Sequence, residues 1–260
     1  MVRIVNLGSS FSAGPGIPPQ VNTAAGRSGA NFAHLLARRL NADLTDLSVS
    51  AATLLNIIDT PQVAGGQTFQ PQIQGVPEDA DIVLVLGGGN DMSYVGGLFM
   101  EHTWMMTAFS LMNRLKGVSS PEMPSPADED EVIRRYGKVL DAIHAKAPRV
   151  RVMVVEYLTL LGPDTKPGID VPFDAERLKH HQAVAKKLQG ATSKVVESRS
   201  EWCELIPMAE PSKYHAIGSA EPWVFGCTAM EQLTGKTWYH PNGEGMKAVA
   251  DVLYEHINKD

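Results

Sequence analysis

Asp81-Ile82-Val83-Leu84-Val85-Leu86, followed at once by Gly87-Gly88-Gly89-Asn90-Asp91, sets the architecture of this chain. Five consecutive large apolar residues, three of them β-branched, suit a strand. The absence of polar alternation says that both of its faces are covered, which is the pattern of a parallel sheet packed between helices. The glycines that end the run mark a sharp turn at the strand's carboxyl end.

Outward from this strand, apolar runs alternate with helix-like runs, as βαβ units require. A first strand spans residues 2–7 (Val2-Arg3-Ile4-Val5-Asn6-Leu7) and a short second one 43–49. A fourth follows at 150–157 and a fifth at 194–197. Between them, a helix is expected over roughly 29–40, with Phe32, Leu35, Leu36 and Leu40 on one face. Further helices are expected over 131–146, over 174–188, and from Pro241 to Ile257. Pro241 suits the first turn of the last helix, and Val249, Val252, Leu253 and Ile257 give it an apolar stripe. The acidic run Asp128-Glu129-Asp130-Glu131 reads as a helix start, where carboxylates favour the dipole. The expectation is one α/β domain over 1–260, with a five-stranded parallel sheet. Two irregular insertions, about 93–127 and 200–239, follow strands and so fall on the ligand-binding rim.

The bulk numbers exclude several classes. At 260 residues and 43% apolar content the chain can bury a sizeable core, and its net charge of −6 comes without a basic cluster. No nucleic-acid partner is expected, because that needs a basic face. No apolar run is long enough to span a membrane. The first strand starts at Val2, so no signal peptide precedes it and a cytoplasmic location is expected; secretion is the alternative if a leader has been removed. Two cysteines, Cys203 and Cys227, are too few for a zinc site or a disulfide scaffold; they form either one bridge or two ordinary thiols. No metal or cofactor is expected. Nothing in the pattern fixes an oligomeric state.

Three segments carry chemistry. Gly8-Ser9-Ser10-Phe11-Ser12-Ala13-Gly14 follows the first strand and would expose a serine hydroxyl at the sheet edge; taken alone, the segment reads more readily as a plain turn or a phosphate-cradling loop. It matches neither the G-x-S-x-G elbow nor a P-loop nor the dinucleotide fingerprint. In Gly88-Gly89-Asn90-Asp91, glycine lets the backbone approach a ligand, and Asn90 offers a neutral N–H donor to developing negative charge. His240 stands just before the last helix, as a base or as a cap. His180-His181 reads as an ordinary helix surface.

Together these segments resemble the GDSL/SGNH hydrolases. That family carries Gly-Asp-Ser-x-x-x-Gly after its first strand, Gly-x-Asn-Asp after its third and Asp-x-x-His-Pro-Asn before its last helix. Leu47-Ser48-Val49-Ser50-Ala51-Ala52-Thr53 resembles its second block, with Ala51 where glycine is usual. The resemblance covers nearly the whole chain. It implies a flavodoxin-like three-layer α/β/α sandwich and ester hydrolysis through an acyl-enzyme on Ser10, with His240 as general base. The oxyanion hole would comprise the backbone N–H groups of Ser10 and Ala51 and the side chain of Asn90. Ala51 would serve if its φ stays negative.

Two further departures bear on this. Ser9 replaces the aspartate before the nucleophile. Thr237 stands where the triad aspartate is expected, and a neutral hydroxyl cannot stabilise an imidazolium as a carboxylate does. Either the Thr237 carbonyl accepts the His240 Nδ1–H, giving a Ser–His dyad, or Glu156 reaches in from the fourth strand. Met92, Trp104, Met105, Trp238 and Tyr239 are the candidates for the acyl-binding wall. The expected partner is a small-molecule ester with a small to medium acyl group. An acyltransferase using the same pair, or a non-catalytic flavodoxin-like binding module, are the competing readings.

Overall fold

A computed structural model describes residues 1–106, 126–227 and 237–259, the side chains of 103–106 excepted. Nine strands occur among them: β1 (Arg3–Gly8), β2 (Gln20–Asn22), β3 (Arg27–Ser28), β4 (Asp43–Asp46), β5 (Gln62–Ala64), β6 (Gln67–Phe69), β7 (Ile82–Leu86), β8 (Arg151–Val155) and β9 (Cys203–Ile206). The helices are α1 (Ser10–Ala13), α2 (Phe32–Leu40), α3 (Leu54–Ile58), α4 (Tyr94–Met106), α5 (Glu129–Lys146), α6 (Ala175–Glu197), α7 (Ala209–Ser212) and α8 (Gly243–Ile257). The main sheet has the order β4-β1-β7-β8-β9, with every neighbour parallel. The pairs β2–β3 and β5–β6 are small antiparallel hairpins outside it.

Handedness explains the layers. The step from β1 to β4 moves one way across the sheet, and those from β4 to β7, β8 and β9 move the other way. Right-handed crossovers therefore put α2 on one face and α3, α5 and α6 on the opposite one. The contacts agree: α2 packs on α8, while α5 lies between α3 and α6. The central strand β7 is buried along its whole length, as its unbroken apolar run requires. Caps fix the helix ends: Asn31, Asp128, Asp174 and Asn242 each accept a backbone N–H from the first turn. The acidic run at 128–131 is indeed the cap and first turn of α5.

The fifth strand lies elsewhere than expected. Residues 194–197 continue α6, whose Leu188, Ala191, Val195 and Val196 form one buried stripe. Their helical spacing against the core outweighs the β propensity of two adjacent valines. The strand is Cys203–Ile206, paired to β8. Pro241 precedes the last helix rather than joining it, and Asn242 is the cap. Among the described residues no helix is long and apolar enough to cross a membrane. Cys203 and Cys227 are not bridged.

Candidate active site

The carboxyl ends of β1, β4, β7 and β8 lie side by side, and the chain after β1 comes first. Gly8 has φ 150, and a Cβ there would lie 2.3 Å from the Leu86 carbonyl oxygen, so only glycine fits. The Gln72 side chain clasps Gly8 twice, accepting its N–H at 2.8 Å and donating to its C=O at 2.9 Å. Ser9 then donates its N–H to Leu86 O and serves as the N-cap residue of α1. Ser10 opens that single turn, which closes on Gly14 in the left-handed region. Beneath it, Ser12 Oγ donates to Asn6 Oδ1 at 2.8 Å. Asn6, Asn31 and Ser48 all donate to the buried Asp46 carboxylate. This network, fully hydrogen-bonded, makes the turn rigid.

His240 reaches Ser10 from the far end of the chain. Its Nε2 lies 2.8 Å from Ser10 Oγ, and its Nδ1 lies 2.7 Å from the carbonyl oxygen of Trp238. A carbonyl can only accept, so Nδ1 carries the proton and Nε2 presents its lone pair to the serine hydroxyl. The segment 222–225 holds this stretch in place. Phe225 donates its N–H to His240 O and accepts from Tyr239 N–H, and Asn242 donates to Trp223 O and Pro222 O. Tyr239 adopts φ 57, left-handed for a residue with a side chain. Its hydroxyl bonds His102 Nδ1 at 2.5 Å, an anchor that helps hold this turn. Burial pushes the His240 imidazole down to about 4, against the opposing pull of the Trp238 carbonyl.

The expected support for His240 is thus corrected. Its acceptor is the carbonyl of Trp238, not that of Thr237, because the turn at Tyr239 brings the later carbonyl under the ring. Glu156 does not reach the histidine. It is buried and accepts the N–H groups of Met208 and Ala209 instead.

The loop after β4 places Ala51 in the left-handed region at φ 65, so the negative φ set as the condition for its donor role is not met. The turn demands it: the flanking Ser50 and Ala52 N–H groups are tied back to Ala25 O and Val49 O. Asn90 Nδ2 donates to Ala52 O at 2.8 Å, which brings the Asn90 amide to the Ala51–Ala52 turn. Asp91 points the other way, its carboxylate fully buried, onto Leu54 N–H and Arg135, each at 2.9 Å.

The expected acyl wall divides. Trp238 is partly exposed, with its ring 5.7 Å from Phe99. Tyr239 is completely buried against His102 and Phe173, so its side chain borders no open cleft. Met92, with Met100 and Val184, lines a cavity of about 550 Å³ between α4 and α6, and neither Ser10 nor His240 is among its lining residues. Trp104 and Met105 fall on the last turn of α4, and their side chains lie outside the described residues. His181 is no surface residue: it is buried, 2.9 Å from Glu101, which also pairs with Arg177.

Sequence reasoning missed Gln72, Tyr157 and the Trp238 carbonyl. Tyr157 alone left a signal, as an aromatic residue just past the end of a buried strand. Among the described residues no cluster of three or more His, Cys, Asp or Glu could hold a metal ion.

The geometry is that of a serine poised beside a neutral histidine at the carboxyl edge of a flavodoxin-like sheet. A search of solved structures finds the same fold. An extracellular lipase from Streptomyces rimosus superposes with TM-score 0.72 at 19% identity, covering 98% of this chain and 99% of that one. A phospholipase A1 from Streptomyces albidoflavus gives TM-score 0.74 at 17% identity, covering 98% of each chain. In sequence, the chain is 26% identical to Lipase 2 of Streptomyces coelicolor over 272 residues, which is 98% of this chain and 86% of that protein. The model of the GDSL-like lipase/acylhydrolase family matches residues 7–248, and the chain belongs to that family.

Proposed function

We propose that the protein is a serine esterase that hydrolyses carboxylic esters through an acyl-enzyme on Ser10. The observation that carries this reading is the relay Ser10 Oγ, His240 Nε2, His240 Nδ1, Trp238 O, with contacts of 2.8 and 2.7 Å. His240 Nε2 takes the serine proton as Oγ bonds to the ester carbonyl carbon. Collapse of the tetrahedral intermediate breaks the bond to the alkoxy oxygen, and the imidazolium returns its proton to the departing alcohol. Water then attacks the acyl-enzyme by the same route and releases the acid and the serine.

The oxyanion would be met by the N–H groups of Ser10 and Ala51 and by Asn90 Nδ2, with Ala51 offering its N–H from a left-handed φ in place of the negative one set as its condition. Among the described residues neither backbone N–H has a protein acceptor, and Asn90 keeps one amide hydrogen beyond its bond to Ala52. Each well-placed donor is worth roughly 3–4 kcal/mol of barrier. Trp238, whose carbonyl meets His240, and Phe99, its ring neighbour at 5.7 Å, offer partly exposed apolar surface for a small or medium acyl chain. The lipase and phospholipase relatives make lipid esters the first natural substrates to try.

The test is hydrolysis of p-nitrophenyl esters from acetate to palmitate by wild type, Ser10→Ala and His240→Ala. Loss of activity in both variants, with fold retained, supports the reading. Full activity in Ser10→Ala overturns it.

A further inference from the structure

Ser10 follows β1 and Asn90 follows β7, so these two of the three proposed oxyanion donors are borne by different loops. The last backbone bond between these loops is Ser9 N–H to Leu86 O. Beyond it, among the described residues, no backbone hydrogen bond links 10–14 to 87–91. A side chain from a third strand spans the gap. Tyr157, just past the end of β8, accepts the Gly89 N–H at 3.0 Å, and its hydroxyl lies 3.2 Å from Ser9 Oγ. One oxygen therefore joins the residue before Ser10 to the residue before Asn90.

The join is rigid. Tyr157 is buried, its ring 4.6 Å from that of Phe11 and 6.0 Å from that of Tyr94. Phe11 in turn lies 5.4 Å from the His240 ring. The approach to residue 89 is so close that a Cβ there would sit 2.7 Å from the Tyr157 hydroxyl, which requires glycine. Burial pushes the phenol up to about 12, so it keeps its proton and can donate to Ser9 while accepting from Gly89.

We infer that Tyr157 is a positioning residue, which sets the separation between the Ser10 N–H and the Asn90 amide through Ser9 and Gly89. The inference rests on the esterase reading. Its role is geometric: the hydroxyl touches no substrate, but donors displaced by a fraction of an ångström lose much of their hold on a transition state.

The test is a double-mutant cycle on p-nitrophenyl butyrate hydrolysis. Tyr157→Phe keeps the ring and removes the link. It is expected to lower kcat about tenfold with KM changed by less than about twofold, since only transition-state contacts are disturbed. In an Asn90→Ala background the same change should cost less than about threefold, because the donor being positioned is already gone. Ser9→Ala, which leaves the Gly89 contact intact, provides a second route if Tyr157→Phe folds poorly. It should lower kcat severalfold, again with much less effect in the Asn90→Ala background. An equal factor in both backgrounds, or no loss of kcat, overturns the positioning role and leaves the esterase reading standing. Hydrolysis that is undiminished in Ser10→Ala would overturn both.

Discussion

The sharpest consequence of the site concerns pH. As the base of the proposed reaction, His240 would work only when Nε2 is unprotonated, because a proton there fills the lone pair that must receive the serine hydrogen. Burial lowers this imidazole from its ordinary 6.5 to about 4. That difference corresponds to about 3 kcal/mol against the charged form. A carboxylate on Nδ1 would offset the penalty, and the neutral Trp238 carbonyl offsets only part of it. The acid limb of kcat/KM is therefore expected near pH 4, with full activity at about pH 6.

Stability follows the same proton. Between about pH 6.5 and 4 the unfolded chain binds a proton that the folded one refuses, so stability falls as the solution is acidified through this window. The assay is initial-rate hydrolysis of a water-soluble ester, followed by titration of released acid. Circular dichroism at each pH confirms that the enzyme remains folded. An acid limb at or above about pH 6 in fully folded protein would refute this reasoning, because it would require an imidazolium far better stabilised than this site allows.

Further outcomes follow from single contacts. Thr237→Ala should keep kcat within about threefold of wild type, since the His240 acceptor is the backbone of Trp238 and not the Thr237 side chain; a loss of about a hundredfold would contradict the dyad. Asp91→Ala should cost about 2–4 kcal/mol in denaturant unfolding, because it strands Leu54 N–H and removes a buried partner of Arg135, which keeps Glu131. Ala51→Gly should leave stability unchanged or raised by about 0.5 kcal/mol: relief of the left-handed φ slightly exceeds glycine's entropy cost. Ala51→Val should instead destabilise by about 1–2 kcal/mol, and equal melting temperatures for the two variants would contradict the assigned backbone.

Much of the architecture was legible because burial on both faces leaves an unambiguous signature. Ile82–Leu86 and Val152–Val155 are apolar without alternation, and both are interior strands of the sheet. The edge strand was not legible. Cys203-Glu204-Leu205-Ile206 carries a charged residue that pairs with Arg151, while Val195-Val196 mimics a strand inside a helix. Only the length of the apolar stripe from Leu188 onward separates the two.

The serine, the asparagine and the histidine were legible as motif residues, and the fold brings Ser10 and His240 into contact. What supports them was not. The left-handed turn at Tyr239 decides which carbonyl meets His240, and that of Ala51 sets where its N–H points. Such dihedral choices leave little trace when the residue is not glycine. Gln72 and Tyr157 act across 64 and 148 residues of sequence, distances at which no local pattern operates.

The measurement that tests the central claim most directly is covalent labelling with diisopropyl fluorophosphate, followed by peptide mass spectrometry. A single adduct on Ser10 is expected, forming in step with loss of esterase activity and strongly slowed in His240→Ala. An adduct on another residue, or ester hydrolysis that persists in fully labelled protein, would contradict it.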